Sequence, residues 1–173
     1  DPDSPIAEPQ SATKEQLELA RKTRPAVAKV IVRGDGDEGT VGTAFLISKD
    51  GIAVTNFHVL AQGGDEIGAA GDNAILEFAD ASTRKVKGVL FEDAKRDLAV
   101  FLIVSPAEGL PYLDIESRRD APGKGTKIAV VGCPLGVGIV SSHGEISGKS
   151  KAGDVDKLLI TAPINPGSSG SPV

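Results

Sequence analysis

The sequence predicts an all-β fold built from many short strands, and three observations support this prediction. The 173 residues include 21 glycines and 11 prolines, so turns are expected to be frequent. The apolar residues fall into short runs of the length typical of strands, and turn residues separate these runs. Only 3% of the residues are aromatic and none is Trp, so the core must be packed mainly from Val, Ile, Leu and Ala.

By composition, the chain divides into a leader and one folded domain. Residues 1–12 are predicted to form a flexible leader, because this stretch is rich in proline and acid and has little to bury. The domain is expected over 13–173, with a helix and a first strand series in 13–104 and a second, shorter series in 127–173. Residues 105–126 are rich in Pro, Gly and charge, and are expected to connect the two series.

A short helix is expected at the start of the domain. Thr13 and Gln16 have the spacing of a capping box, and Pro25 marks the end of the helical stretch. Leu17 and Ala20 lie three residues apart and therefore share one side of the helix, so its apolar face is predicted to be small.

Beyond the helix, the pattern changes to strands. The run "DLAVFLIV" is apolar throughout, which predicts a strand buried on both faces. Six strands are expected in the first series and three or four in the second. The runs in the first series are AVAKVIVRG, GTVGTAFLIS, GIAVTN, AILEF, RKVKGVLF and DLAVFLIV, and those in the second are TKIAVVG, GIVSSHGEISG and DKLLITA.

The charge and the cysteine content exclude several classes of function. Lys and Arg number 19 against 24 Asp and Glu, a net charge of −5, so nothing supports binding to nucleic acid or to an anionic membrane. No apolar stretch approaches the roughly 20 residues that span a bilayer. The single cysteine, Cys133, excludes an internal disulfide and a cysteine-based metal cluster. The start at Asp1, without Met or an apolar signal segment, is expected of a processed or trimmed form.

The segment "NPGSSGSPV" contains the first candidate for chemistry. Gly167 and Gly170 flank Ser168 and Ser169, and glycines allow a loop to turn several backbone N–H groups towards one point. A serine at the centre of such a turn could act as a nucleophile beside donors that stabilise an oxyanion. The alternative is a flexible polar turn, and this segment alone favours that alternative. A catalytic serine must therefore have a base and an acid elsewhere in the chain.

A serine nucleophile needs a base, which is usually histidine, and an acid that orients the base. Of the two histidines, His58 follows an apolar strand in "GIAVTNFHVL", where a strand end gives a rigid and accessible position. His143 lies among small polar residues in "VSSHGEIS". Surface histidine is the alternative for both, but its apolar surroundings make His58 the better catalytic candidate.

Asp97 is the candidate acid, because it begins the most hydrophobic run of the chain, "RDLAVFLI". A carboxylate at that point is expected to be partly buried and therefore paired. The alternative is a residue that caps a turn or pairs with Arg96. The chain order is then His58, Asp97 and Ser169, the order used by chymotrypsin-like enzymes.

These segments resemble a known family. "GTAFLISKDGIAVTNFHVL", "RDLAVFLI" and "INPGSSGSPV" are similar to the three catalytic segments of trypsin-like serine proteases, and most similar to the HtrA/Deg group. The likeness runs over most of residues 14–173. It implies two six-stranded antiparallel β-barrels of chymotrypsin type, with the second barrel expected to be incomplete because the family continues for some tens of residues past Val173.

The resemblance also implies a role for each candidate. His58 would be the general base, Asp97 its orienting acid and Ser169 the nucleophile of a serine endopeptidase. The backbone N–H groups of Gly167 and Ser169 would form the oxyanion hole. Cys133 lies outside the nucleophile motif and is expected to be a small buried apolar residue.

Further expectations concern substrate, cofactor and location. By the same resemblance, Ile164 and Asn165 would lie near the substrate pocket, which suggests small or medium apolar side chains in the substrate. The implied substrate is unfolded or exposed polypeptide, and no metal or organic cofactor is implied. A homo-oligomer or a completing C-terminal segment are the other implied partners. The expected location is extracytoplasmic: periplasmic, secreted or in an organelle lumen.

Two departures from the family pattern leave alternatives open. Ser171 stands where the family usually has a second glycine after the nucleophile, and the chain stops where further strands should begin. The first alternative is therefore a weak or inactive module of the same fold, acting in binding or regulation. A small β-barrel interaction domain with a chance arrangement of the three residues is the second alternative.

Overall fold

The computed structural model describes residues 12–33, 39–68, 73–116 and 122–173. The predicted leader lies outside the described residues, apart from Ala12. Strands account for most of the regular structure, as the composition predicts. None of the helices in the described ranges is long and apolar enough to cross a membrane.

The predicted helix, α1, spans Lys14–Thr23, and its capping box is confirmed. The Thr13 hydroxyl accepts the Gln16 N–H at 3.2 Å, and the Gln16 side chain accepts the Thr13 N–H at 2.9 Å. The predicted apolar face is only partly correct: Ala20 is buried, but Leu17 is 53% exposed.

The face of α1 that is buried is partly polar. Gln16 is 6% exposed, and its Nε2 donates to the carbonyl oxygens of Ile128 and Gly144 at 2.9 and 3.0 Å. These carbonyls belong to the second strand series, so α1 is held there by hydrogen bonds to backbone in place of a leucine contact. A buried amide can be tolerated because its donors are satisfied.

The first strand series forms a closed antiparallel barrel of six strands, in the order β1-β2-β3-β6-β5-β4. A short helix, α2 (Phe57–Ala61), follows β3, and a 3-10 turn at Arg24–Ala26 leads from α1 into β1. The six predicted strands are confirmed. Their bounds are β1 Val27–Arg33, β2 Gly39–Leu46, β3 Ile52–Thr55, β4 Ala74–Phe78, β5 Thr83–Asp93 and β6 Leu98–Ile103.

The barrel encloses a mainly aliphatic core. Leu46, Leu76 and Phe101 are fully buried in it, and most of its other members are Val, Ile, Leu or Ala, as the composition leads one to expect. Strand β6 buries alternate residues, so the prediction that it is buried on both faces is wrong. A barrel strand points alternate side chains inwards, and the outward ones are only partly covered here.

The second series forms an open three-stranded antiparallel sheet, in the order β7-β8-β9. Its strands are β7 Lys127–Gly132, β8 Val140–Ala152 and β9 Val155–Ile160. Three strands agree with the three or four that were expected. The described residues form one closed barrel and one partial sheet, so the expectation of two barrels with an incomplete second one is confirmed in part. A small core of Val27, Val131 and Cys133 joins this sheet to the barrel.

Candidate functional site

The short helix α2 presents His58 at the surface of the barrel. Phe57, Val59 and Leu60 of this helix are buried, whereas the side chain of His58 is 53% exposed. The helix therefore packs its apolar residues into the barrel and leaves the imidazole accessible. Gln62 ends the helix in a left-handed conformation, and its N–H donates to the His58 carbonyl at 3.2 Å.

Asp97 lies in the turn between β5 and β6 and has an unusual backbone conformation. Its φ is +54°, in the left-handed region that costs most residues about 1 kcal/mol or more but that Asp tolerates better than most. The Asn56 side chain donates to the Asp97 carbonyl at 2.8 Å, and the Asp97 N–H donates to Ala94 at 3.3 Å. These bonds hold the strained residue in place.

His58 and Asp97 form a close pair. The His58 Nδ1 lies 2.8 Å from one Asp97 carboxylate oxygen and 3.0 Å from the other, and the His58 backbone N–H donates to the carboxylate at 2.9 Å. Since an ionised carboxylate only accepts hydrogen bonds, Nδ1 carries the proton and Nε2 keeps its lone pair in the neutral ring. The imidazole is thereby oriented as a base.

One part of the alternative interpretation of Asp97, a pairing with Arg96, is not observed among the described residues. Arg96 donates to Asp93 at 2.7 Å, so its guanidinium is occupied by a residue other than Asp97. The carboxylate of Asp97 is 42% exposed, which agrees with the predicted partial burial. The acid is paired, as expected, and its partner is the histidine.

The serine segment is a shaped loop of consecutive turns. The Ser168 N–H donates to the Asn165 carbonyl, and the Ser171 N–H donates to the Ser168 carbonyl, both at 3.0 Å. Gly167 and Gly170 have φ values of +92° and +87°, a region that strains residues with a side chain. The prediction that glycines shape this loop is therefore confirmed.

Thr43 of β2 fastens the loop to the barrel. Its N–H donates to the Ser169 carbonyl at 2.7 Å, and its hydroxyl donates to the Gly167 carbonyl at 2.9 Å. The same hydroxyl accepts the N–H of Cys133 at 2.9 Å. Thr43 is fully buried, so these bonds are shielded from water. Sequence reasoning missed Thr43, because a threonine in "GTAFL" is also what an ordinary strand would contain.

The loop also contacts the strand that leads to His58. A side chain at Gly170 would overlap the carbonyl oxygen of Thr43 and the hydroxyl of Thr55. Thr55 ends β3, three residues before His58, and its hydroxyl donates to the Thr43 carbonyl at 2.6 Å. The backbone at Ser169 is thus bonded to β2, and Thr43 of β2 is bonded in turn to β3, the strand that leads to His58.

The structure pairs two of the three predicted residues, His58 and Asp97, by hydrogen bonds. Among the described residues, the side-chain hydrogen bonds of His58 go to Asp97, and the hydroxyl of Ser169 makes none. The backbone N–H groups of Gly167 and Ser169 likewise donate to no acceptor in the described ranges. These two donors are available to another group.

Ser171, the departure from the family pattern, fits against a glycine. A side chain at Gly132 of β7 would overlap the Ser171 hydroxyl, so the extra atoms of Ser171 occupy the space that Gly132 leaves free. That hydroxyl is buried and has no hydrogen-bond partner within the part of the chain that the structure describes.

The remaining candidates lie apart from the histidine and aspartate. Asn165 lines a cavity of about 100 Å³ together with Ser168, whereas Ile164 is 54% exposed and does not line it. Cys133 is fully buried, as expected, and burial raises the pKa of its thiol. His143 is in β8 and is half-buried, and its Nε2 is buried without a partner among the described residues.

Comparison with known proteins gives a consistent result. The family described as "Trypsin-like peptidase domain" matches residues 42–173. A protein of Pseudomonas fluorescens named "Probable periplasmic serine endoprotease DegP-like" is 31% identical over 147 residues, covering 82% of this chain and 28% of that protein. A protein of the same name from Chlamydia trachomatis is 34% identical over 137 residues, covering 76% of this chain and 25% of the relative.

Solved structures agree with these relatives. An HtrA-type protease solved with a tripeptide is 26% identical, has a TM-score of 0.71, and is matched over 90% of this chain and 49% of its own. A serine endoprotease from Yersinia pestis is 25% identical and has a TM-score of 0.72. The match covers 93% of this chain and 53% of the Yersinia pestis chain.

The closed barrel, the partial sheet and the paired histidine and aspartate agree with the sequence match over residues 42–173. The chain therefore belongs to the trypsin-like peptidase domain family. Within this family, its similarity is to the HtrA type of serine protease. The chain spans about a quarter of the length of the curated relatives described above, 28% and 25%.

Proposed function

We propose that the protein is a serine endopeptidase in which His58, Asp97 and Ser169 form the catalytic triad. The observation that carries this proposal is the pairing of the His58 Nδ1 with the Asp97 carboxylate at 2.8 Å. This contact keeps the Nε2 lone pair free to take a proton from a serine. The family and the HtrA-type relatives support the same reaction class.

The reaction proceeds in two steps. The Ser169 Oγ attacks the carbonyl carbon of the peptide bond while its proton passes to the His58 Nε2, and the C–N bond then breaks as that proton moves to the leaving amine. Water attacks the resulting ester with the same histidine as base, which releases the acid product and restores the serine. Asp97 stabilises the imidazolium formed in each step.

The oxyanion of each tetrahedral intermediate is received by backbone donors. The N–H groups of Gly167 and Ser169 have no internal acceptor among the described residues, so a substrate oxygen can accept from both. Preorganised donors of this kind typically contribute about 10²–10³-fold each in turnover. The positive φ of Gly167 is what allows the backbone to turn there.

The Ser169 hydroxyl must still move towards the imidazole, because it makes no hydrogen bond in the described structure. Catalytic hydrogen bonds are often long in the absence of substrate and tighten when substrate binds. The backbone N–H and the hydroxyl of the buried Thr43 hold the loop, so rotation of the Ser169 side chain is the proposed route to the imidazole.

The proposed substrate is unfolded or exposed polypeptide, by similarity to the HtrA-type relatives. Asn165 and Ile164 are proposed to border the pocket for the side chain before the scissile bond, which favours small or medium apolar residues. The names of these two relatives include the word periplasmic, and we extend this to an extracytoplasmic location for the present protein.

A second candidate is a weak or inactive protease-fold module that acts in binding or regulation. The open three-stranded sheet favours this candidate, because the loop that contains Ser169 follows three strands that do not close into a barrel. The resemblance to two-barrel proteases suggests that this sheet belongs to a second barrel, completed by another segment.

A serine-directed fluorescent phosphonate separates the two candidates. The endopeptidase is expected to be labelled at Ser169, as read by mass spectrometry of the digested protein. Ser169→Ala should abolish labelling, and Ser168→Ala, the matched control, should retain it. Equal labelling of the Ser169→Ala variant, or no labelling of the unaltered chain, would support the binding module.

A further inference from the structure

A second cavity lies away from the candidate active site. It has a volume of about 490 Å³, within the range of small-ligand and peptide pockets. The end of α1 with its 3-10 turn, the turn between β4 and β5, and the chain that follows β6 form its walls. None of the candidate site residues His58, Asp97 and Ser169 lines it.

Three arginines line this cavity: Arg21 and Arg24 from one wall and Arg84 from another. Across the described residues, none of the three guanidinium groups has a carboxylate oxygen within 4.0 Å. The Nε of Arg84 is buried and has no hydrogen-bond partner in the described part of the chain. A buried donor without a partner costs about 1–3 kcal/mol, and a bound acceptor would remove that cost.

The two acids that line the cavity, Asp80 and Glu108, form no ion pair with these arginines in the described part of the chain. Asp80 lines the cavity, but its carboxylate accepts the Ser82 N–H at 2.9 Å within its own turn. Hydrogen bonds from Ser82, and to a smaller extent the charge of Arg84, lower the pKa of Asp80, so it is ionised near neutral pH. With Glu108, the cavity has two acids against three arginines, an excess of positive charge in a protein of net charge −5.

The remaining walls are apolar. Phe78 and Leu110 line the cavity together with three prolines: Pro25, Pro106 and Pro111. An inorganic anion would use the guanidinium groups and leave this surface without a partner. A ligand that carries carboxylates beside an apolar side chain would use both, because arginine forks match carboxylates and aromatic or proline surfaces pack against apolar groups.

We propose that this cavity, formed by Arg21, Arg24, Arg84 and the apolar residues around Phe78, binds acidic peptide segments that carry an apolar side chain next to a carboxylate. The site is separate from the hydrolytic one and does not depend on it. Such a site would hold the acidic segment of another polypeptide chain, apart from the candidate active site.

The test measures binding alone, so its outcome is independent of peptidase activity. Two fluorescein-labelled hexapeptides, Gly-Pro-Phe-Glu-Asp-Gly and its neutral analogue Gly-Pro-Phe-Gln-Asn-Gly, are titrated with the Ser169→Ala chain, which prevents cleavage, and followed by fluorescence anisotropy. The acidic peptide is expected to bind at least about tenfold more tightly than the neutral one, and added salt should weaken its binding.

Variants of the arginines locate the site. Arg84→Gln is expected to weaken binding of the acidic peptide by about tenfold or more. Lys85→Gln removes the same charge one residue along β5, from an exposed side chain that does not line the cavity, and should leave the affinity within about twofold. If thermal melting shows that Arg84→Gln is unstable, the affinity of Arg24→Gln for the acidic peptide is measured in its place. Arg24 lines the cavity from an exposed position, and its replacement should also weaken binding.

Three results would overturn the proposal. The first is an equal affinity for the acidic and neutral peptides, and the second is an equal loss of affinity in Arg84→Gln and Lys85→Gln. The third is complete displacement of the acidic peptide by inorganic phosphate at a concentration equal to that of the peptide. The last result would show a site for a bare anion, in which the apolar walls have no part.

Discussion

The first six strands and the last three differ in how completely they enclose a core. The six form a closed barrel around Leu46, Leu76 and Phe101, which are fully buried. The three form an open sheet, and Leu158 and Leu159 of β9 are 41% and 47% exposed. The candidate site draws on both regions, with His58 and Asp97 on the barrel and Ser169 after the open sheet.

The two regions also differ in the hydrogen bonds that hold the candidate site residues. His58 and Asp97 are joined by three hydrogen bonds made within the barrel region. The serine loop instead depends on its attachment to Thr43, which is buried, and on contacts across the two regions. The proposed acid and base are therefore positioned by one closed sheet, whereas the proposed nucleophile is positioned by the way that sheet is joined to the other region.

The largest expected effect is from His58→Ala, which tests the barrel side of this comparison. Removal of the base should lower kcat/KM for a fluorescein-labelled unfolded protein by about 10⁵-fold or more. The side chain is 53% exposed, so thermal melting should barely change. His143→Ala is the matched control and should keep kcat/KM within about tenfold, since His143 lies in β8. Equal losses in both variants would contradict the assignment of the base.

Asp97→Asn tests whether the carboxylate orients the imidazole. An amide in this position can donate to Nδ1, which favours the wrong tautomer of His58, and kcat should fall by about 10⁴-fold. The left-handed backbone of Asp97 suits Asn as well, so the fold should be retained. Asp93→Asn, at the residue that pairs with Arg96, is the control and should lower kcat by less than about tenfold. Full activity of Asp97→Asn would remove Asp97 from the triad.

Gly170→Ala tests the close approach between the loop and the barrel. The new methyl group would overlap the Thr43 carbonyl and displace the loop, and a shift of about 1 Å can cost about 10²-fold in kcat. Gly153→Ala is a matched control, because Gly153 also has a positive φ of +63° but no atom lies within 4 Å of the added methyl. Similar activity losses in the two variants would show that backbone strain, and not the contact with Thr43, is what matters.

Sequence reasoning predicted the local features of this molecule well. The capping box of α1, the two strand series of the described residues and the glycine turns around Ser169 all follow from short-range rules. The pairing of His58 with Asp97 was also predicted, although the two residues are far apart in the sequence. Their residue types and their order along the chain indicate a base and its orienting acid.

What escaped prediction depends on contacts between distant residues of ordinary type. Thr43 and Cys133 meet across the two regions, and a threonine in a strand gives no sign of such a partner. Leu17 is more exposed than its spacing suggests, because Gln16 takes the buried position by bonding to backbone carbonyls. The arginine-lined cavity likewise joins Arg21, Arg84 and the chain after β6, which no local pattern connects.

Thr43→Val gives the smallest expected effect and tests directly how the serine loop is attached to the barrel. Valine keeps the shape but removes the hydroxyl, which leaves the Gly167 carbonyl and the Cys133 N–H without their present partner in a buried setting. The free energy of unfolding should fall by about 1–3 kcal/mol, as measured by urea denaturation.

Thr126→Val provides the matched control for this measurement. The Thr126 hydroxyl also donates to a carbonyl, that of Gly123, at 2.8 Å, but in an exposed turn. Water can replace that bond, so the loss should stay below about 0.5 kcal/mol. If Thr43→Val were no more destabilising than Thr126→Val, the serine loop would be held by its own turns, and the dependence of the nucleophile on the barrel would have to be abandoned.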